Sequence, residues 1–327
     1  MASEARLPRD LERAIFECAA LDLDNALNLV QTARRVQEWI EPLIYTTLTL
    51  AFTVESTTDF SNTKPPQMHR RLAAALHTKP TSFFAAHTRR VFLGKSLSHA
   101  ETELVLDRCT NITSFVFDTS WPPSPAIASG TFPDNHAFAR LQRVWLDFRQ
   151  LRSFSPASVN AGAGFLPSLT HVTLYYLYSD APGLHEAYIG FLSALPALTH
   201  VCICMVQSAS FLRLVLAHCR HLQVLLHAFD AGMYEREMYI ADMEAEGVDA
   251  PADARCVLID YTCGWFNWVK WVHADWRLAA GMQVLDRAKK FVEMRGNGAV
   301  PAEEFIWEDP EAPPESDEEY SSDDDEE

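Results

Sequence analysis

Leu166-Pro-Ser-Leu-Thr-His171-Val172 and Leu195-Pro-Ala-Leu-Thr-His200-Val201 are two copies of one heptapeptide, 29 residues apart. A second pair brackets them: Leu104-Val-Leu-x-x-Cys109-x-x-Ile112-x-x-Phe115 returns as Leu214-Val-Leu-x-x-Cys219-x-x-Leu222-x-x-Leu225. Repetition at a fixed period predicts stacked units that bury a shared core and present one long face, so the default role is binding. Aligning on Leu-x-x-Val-x-Leu sets anchors at Val91, Phe115, Val144, Val172, Val201 and Leu225, in steps of 24 to 29 residues. Around each anchor apolar residues alternate, as in Leu141-Gln-Arg-Val144-Trp-Leu146, which is the pattern of a half-buried strand. Residues 101–109, 185–195 and 211–219 carry helical spacing, and parallel strands need such crossovers. An earlier strand over 47–54, followed by a helix near 68–77, starts the sheet.

The 327 residues are 48% apolar and carry a net charge of −17. That charge is concentrated: fourteen acids and no Lys or Arg fall within residues 303–327. Such a run repels itself and is expected to be disordered, leaving a nearly neutral body. No basic stripe is present to neutralise phosphates, so nucleic acid is not an expected partner. No apolar run approaches the length of a membrane span, and the first residues carry no signal-peptide pattern, so a cytosolic or nuclear location is expected. The seven cysteines are scattered without a Cys-x-x-Cys pair, which speaks against a disulfide framework.

Over roughly residues 46–260 the ladder resembles the leucine-rich-repeat family. Regular members place Asn or Cys five residues after the anchor. Here those positions hold Ser120, Arg149, Leu177, Val206 and Asp230, so the resemblance implies an irregular solenoid. Three loops interrupt it, at 121–135, 153–164 and 231–254, the last with a polar helix-like stretch at 234–245. In repeats of this type the residues flanking the anchors point to the concave face. Arg143, Trp145, Asp147, His171, Tyr175 and His200 are therefore the expected surface for a protein target, rich in residue types that anchor interfaces. Trp265, Trp268, Trp271 and Trp276, with a helix over 278–292, are expected to seal the solenoid's end.

Before the repeats, three short helices are expected. Pro8 suits a first helical turn. Leu11, Ala14, Ile15, Cys18 and Ala19 share one face of the first helix. The second carries Ala26, Leu27, Leu29, Val30 and Ala33; the third has Val36, Trp39, Ile40 and Leu43, with Pro42 ending it. Forty residues bury little among themselves, so excess apolar surface calls for a partner. Leu7-Pro8, Leu11, Ile15-Phe16, Leu29-Val30, Val36, Trp39 and Pro42-Leu43-x-Tyr45 resemble an F-box, and residues 33–45 resemble the F-box-like proteins of mushroom-forming fungi. The resemblance implies that Leu7, Pro8, Leu11, Ile15, Leu29, Val36 and Trp39 contact the Skp-type adaptor of a cullin ubiquitin ligase, while the repeats hold an unknown protein substrate.

The expected fold is thus α/β: a disordered start at 1–6, an F-box-like three-helix module at 7–45, an irregular leucine-rich-repeat solenoid with a capping helix at 46–295, and a disordered acidic tail at 296–327. The expected function is that of a non-catalytic substrate receptor, with a scaffolding repeat protein as the alternative. Catalytic motifs are absent: Gly94-Lys-Ser96 lacks the first Gly of a phosphate-binding loop, and no Gly-x-Ser-x-Gly elbow occurs. His218-Cys219-x-His221 could offer metal ligands, but Cys219 matches Cys109, which has no His neighbours, so both read as structural. No cofactor and no metal are expected. Ser316, Ser321 and Ser322 each precede an acid by three residues, a pattern favoured by acidophilic kinases of the casein-kinase type.

Overall fold

A computed structural model describes residues 7–50, 67–93, 99–117, 136–147, 166–177, 184–206, 209–229, 236–245, 253–260, 284–301 and 304–307. Contacts divide the chain into two compact units, residues 1–170 with 194–197, and residues 171–193 with 198–327.

In the first unit, helices α1 (Arg9–Ala19), α2 (Leu23–Leu29) and α3 (Arg34–Ile44) lead into strand β1 (Thr47–Leu50). Helices α4 (Gln67–Thr78) and α5 (Thr81–His87) precede β2 (Arg90–Leu93), α6 (His99–Arg108) precedes β3 (Ser114–Phe117), and a 3-10 turn at His136–Phe138 precedes β4 (Arg143–Asp147). The second unit runs β5 (His171–Leu177), α7 (Leu184–Ser193), β6 (His200–Val206), α8 (Ala209–His218), β7 (Val224–Phe229), α9 (Arg236–Ala245), β8 (Cys256–Asp260) and α10 (Val284–Gly296). Within each unit the four strands are parallel and neighbour one another in sequence order.

The anchors of the sequence ladder are the register of the sheet. Leu48 pairs with Val91, Val91 with Phe115 and Phe115 with Val144; in the second unit Val172 pairs with Val201 and Val201 with Leu225. The residue just before each strand explains the recurrent threonine. The Thr46 carbonyl accepts from the Arg89 and Arg90 amides, and the Arg89 carbonyl from the Thr113 amide and hydroxyl. The Thr113 carbonyl accepts from the Gln142 amide, and the Gln142 carbonyl from the Thr170 amide and hydroxyl, at 2.9 and 3.0 Å. Thr199 repeats the device, its carbonyl accepting from the Gln223 amide at 2.7 Å. Each heptapeptide therefore reads as core leucines (Leu166 and Leu169; Leu195 and Leu198), a threonine rung, and a buried Val at the anchor.

The expected architecture, an F-box-like three-helix module followed by an irregular leucine-rich-repeat solenoid, is corrected by this structure. Its helices α1 to α3 fall into one compact unit with β1 to β4 instead of forming a separate module. Only Tyr45 and Thr46 separate α3 from β1, and that joint is held fast: the Thr88 hydroxyl donates to the Tyr45 carbonyl at 3.0 Å, and Lys79 pairs with Glu41 at 2.7 Å. Pro42, expected to end α3, sits inside its last turn, where the Thr46 hydroxyl caps the Pro42 carbonyl.

Among the described residues, the strands of neither unit present the open concave face of a solenoid. Phe92, Val116 and Trp145, and likewise Cys202, Cys204, Leu226 and Ala228, are buried although they flank the anchors. Burial on both faces is the mark of an α/β sheet covered on both sides. In the second unit α10 packs on β6, β7 and β8. Phe305 to Trp307, expected within the disordered tail, instead follow the edge of β8. The Leu258 amide donates to the Phe305 carbonyl and the Trp307 amide to the Leu258 carbonyl, both at 2.8 Å. The acidic residues 308–327, the tryptophans at 265–276 and the loops at 121–135 and 153–164 lie outside the described residues.

Candidate functional site

Two regions gather the residues singled out in the sequence. The first is the helix triplet. Ala26, Val36, Trp39 and Ile40 form its core, with Phe16, Ala20, Leu29, Val30 and Ile44 packed against them. Trp39 meets Phe16 at 6.3 Å between ring centroids and lies under the Arg9 guanidinium at 5.9 Å. An ion pair between Arg35 and Glu12 ties α3 to α1. Of the seven residues expected to meet an adaptor, Val36 and Trp39 are 1% and 8% exposed inside this core, and Leu29 is half-buried.

The others are outside. Leu7, Leu11 and Ile15 are 59%, 54% and 55% exposed, and Pro8 is exposed as well. Helical spacing puts Leu11, Ala14, Ile15 and Cys18 on one stripe of α1, Leu7 lies just ahead of the helix, and every one of them faces solvent. The apolar face of α1 therefore points away from the fold, and Phe16 and Ala20 turn inward instead. Among the described residues seven large hydrophobics are exposed, and five of them (Leu7, Leu11, Ile15, Leu21 and Leu43) lie in this triplet.

The second region is the row expected to hold a target. Arg143 is half-buried beside Arg90, whose ionisation burial lowers, with the Arg143 charge adding to the effect. Trp145 is buried; Asp147 closes β4 and Tyr175 lies within β5. His171 and His200 pair directly across β5 and β6 because they occupy the same heptapeptide position. Their rings stack at 4.1 Å, tilted by 7°. His171 Nε2 lies 3.5 Å from Asp286 Oδ1, in the first turn of α10, where a carboxylate suits the helix dipole. Thr199 Oγ1 holds His200 Nδ1 at 2.7 Å. Asp286 was not legible as a partner of this row, since it comes 115 residues after His171 and no local spacing records which sheet face a helix covers. The signal that was legible is the identical histidine in both heptapeptides.

Elsewhere the buried thiols are quiet. Cys109 and Cys219 follow equivalent helices, and burial pushes them up to about 12 and about 11, as it pushes Cys256 up to about 12. The metal-like spacing of His218, Cys219 and His221 is not realised: Cys219 is buried and both histidines are exposed. Ser316, Ser321 and Ser322 lie outside the described residues. No helix among the described residues is long and apolar enough to cross a membrane. Compared with known proteins, the chain matches no family model and no curated sequence.

Proposed function

We propose that this chain is a non-catalytic receptor that carries a protein target to a cullin-type ubiquitin ligase in the cytoplasm or nucleus, gripping the Skp-type adaptor with the outer stripe of α1. The observation that carries the reading is the outward apolar row of Leu11, Ile15 and Cys18 on a helix whose inner face already has its core, with Leu7 exposed just ahead of it. Fully burying such a side chain is worth about 1.5–3 kcal/mol. These begin near half exposure, so each would add about 1 kcal/mol, against about 4–15 kcal/mol lost on association. The stripe alone is too weak, and other exposed side chains of the triplet, such as Leu21 and Leu43, must join the contact. The target would be held elsewhere than the expected row, since Trp145 and His200 are buried.

The test is retention of a purified Skp-type adaptor by the full chain, with Cys18 as reporter. Bound adaptor should shield Cys18 from alkylation, and Leu11→Asp should abolish both retention and shielding. A chain that retains no adaptor, or an L11D chain that retains it undiminished, removes the reading. The scaffolding alternative is favoured by one observation, the burial of Val36 and Trp39 inside the triplet, which then serves as the cap of the first strands.

A further inference from the structure

His171, His200 and Asp286 each offer one ligand atom, and these atoms all lie within 4.8 Å of one another. We propose that they form a binding site for one divalent ion of the zinc class, with a fourth position left to solvent. The donor set decides the ion. Two imidazoles and a carboxylate suit zinc and its borderline neighbours, whereas magnesium and calcium demand oxygen ligands.

The geometry is close to what such an ion requires. Ligands about 2.0–2.1 Å from a tetrahedral zinc stand about 3.3 Å apart, and His171 Nε2 already lies 3.5 Å from Asp286 Oδ1. One adjustment is needed. Parallel rings 4.1 Å apart cannot both contain the ion in their planes, so the two imidazoles must tilt toward each other. The site is also supported from behind. Thr199 Oγ1 engages His200 Nδ1, which leaves Nε2 to face the ion, the outer partner that ligating histidines ordinarily have. Thr199 is itself fixed, because its carbonyl accepts from the Gln223 and Val224 amides.

Both strands supply their histidine from the same heptapeptide position, and the carboxylate comes from the first turn of α10. An ion there would tie α10 to β5 and β6 within the second unit. His200 is 5% exposed, and the side chain of Asp286 is 28% exposed, so the approach is from the helix side. The donors owe nothing to the outer stripe of α1, so this site and adaptor binding stand or fall separately.

The full chain, stripped of metal and dialysed against Zn2+ or Co2+ alone, tests the inference. One equivalent should bind, Co2+ should show the visible bands of a tetrahedral site with nitrogen and oxygen donors, and Zn2+ should raise the melting temperature. Asp286→Asn should bind none and lose the melting shift. Thr199→Val, which alters a positioning residue, should weaken binding about 10- to 100-fold. Paired replacement of the exposed His218 and His221 by Ala should change nothing. A wild-type chain that takes up no Co2+, or a D286N chain that takes up as much, overturns the site. The wild-type measurement decides even if a variant fails to fold.

Discussion

At the scale of single residues, one histidine sets how the fold responds to acid. His227 lies in β7, pairing with Ile203 on one side and Leu258 on the other, and is wholly buried. Burial disfavours its charged form and pushes its ionisation down to about 3. In the unfolded chain an imidazole titrates near about 6.5. Between those values the unfolded chain binds a proton that the folded chain does not. Stability is therefore full above about pH 6.5 and is lost as pH falls toward 3, at up to about 1.4 kcal/mol per pH unit. Urea unfolding between pH 7 and 5 should show that slope, since most carboxylates have yet to protonate there. His227→Gln should flatten it, and an unchanged slope would absolve this residue.

At the scale of elements, the triplet separates side chains that hold the fold from those that do not. Trp39→Ala removes the ring that packs on Phe16 and lies beneath Arg9, and should cost about 3–5 kcal/mol in urea unfolding. Leu11→Asp, one helix away on the outer stripe, should stay within about 0.5 kcal/mol. A loss above about 2 kcal/mol for L11D would mean that the stripe belongs to the core after all. This division was half legible in sequence. Periodicity revealed that Leu11, Ala14, Ile15, Cys18 and Ala19 share a face, because helical spacing is a local property. It could not reveal which way that face turns, because orientation depends on Val36, Trp39 and Ile40, which take the inner side for Phe16 and Ala20.

At the scale of the whole chain, the strands were legible and their covering was not. Val91, Phe115 and Val144, and separately Val172, Val201 and Leu225, could be aligned because each strand repeats the same apolar spacing. Strand β8, Cys256–Asp260, escaped because it carries no copy of the motif, and α10 was legible as a helix but not as the cover of the histidine row. The three residues Phe305 to Trp307 were absorbed into the acidic run that follows them. They shield the edge of β8, and Trp307 packs on Phe291 at 6.3 Å. A chain ended after residue 303 should lose on the order of 3 kcal/mol and aggregate in proportion to concentration, because an unpaired strand edge invites pairing between molecules. A chain ended after 307 should melt like the parent. Equal melting and equal light scattering for the two truncations would show that the edge needs no such guard.

The threonine rungs settle where the chain can change length. Because Thr46, Arg89, Thr113, Gln142 and Thr170 are joined at the threshold of their strands, alignment is restarted at every threshold. Residues added between one strand and the next threshold do not carry an error forward. Lengthening such a connection twofold costs only about 0.6 kcal/mol in chain entropy. The spacings from 24 to 29 residues between anchors are what this arrangement tolerates, and inserted tags or whole domains would best be placed in those same intervals.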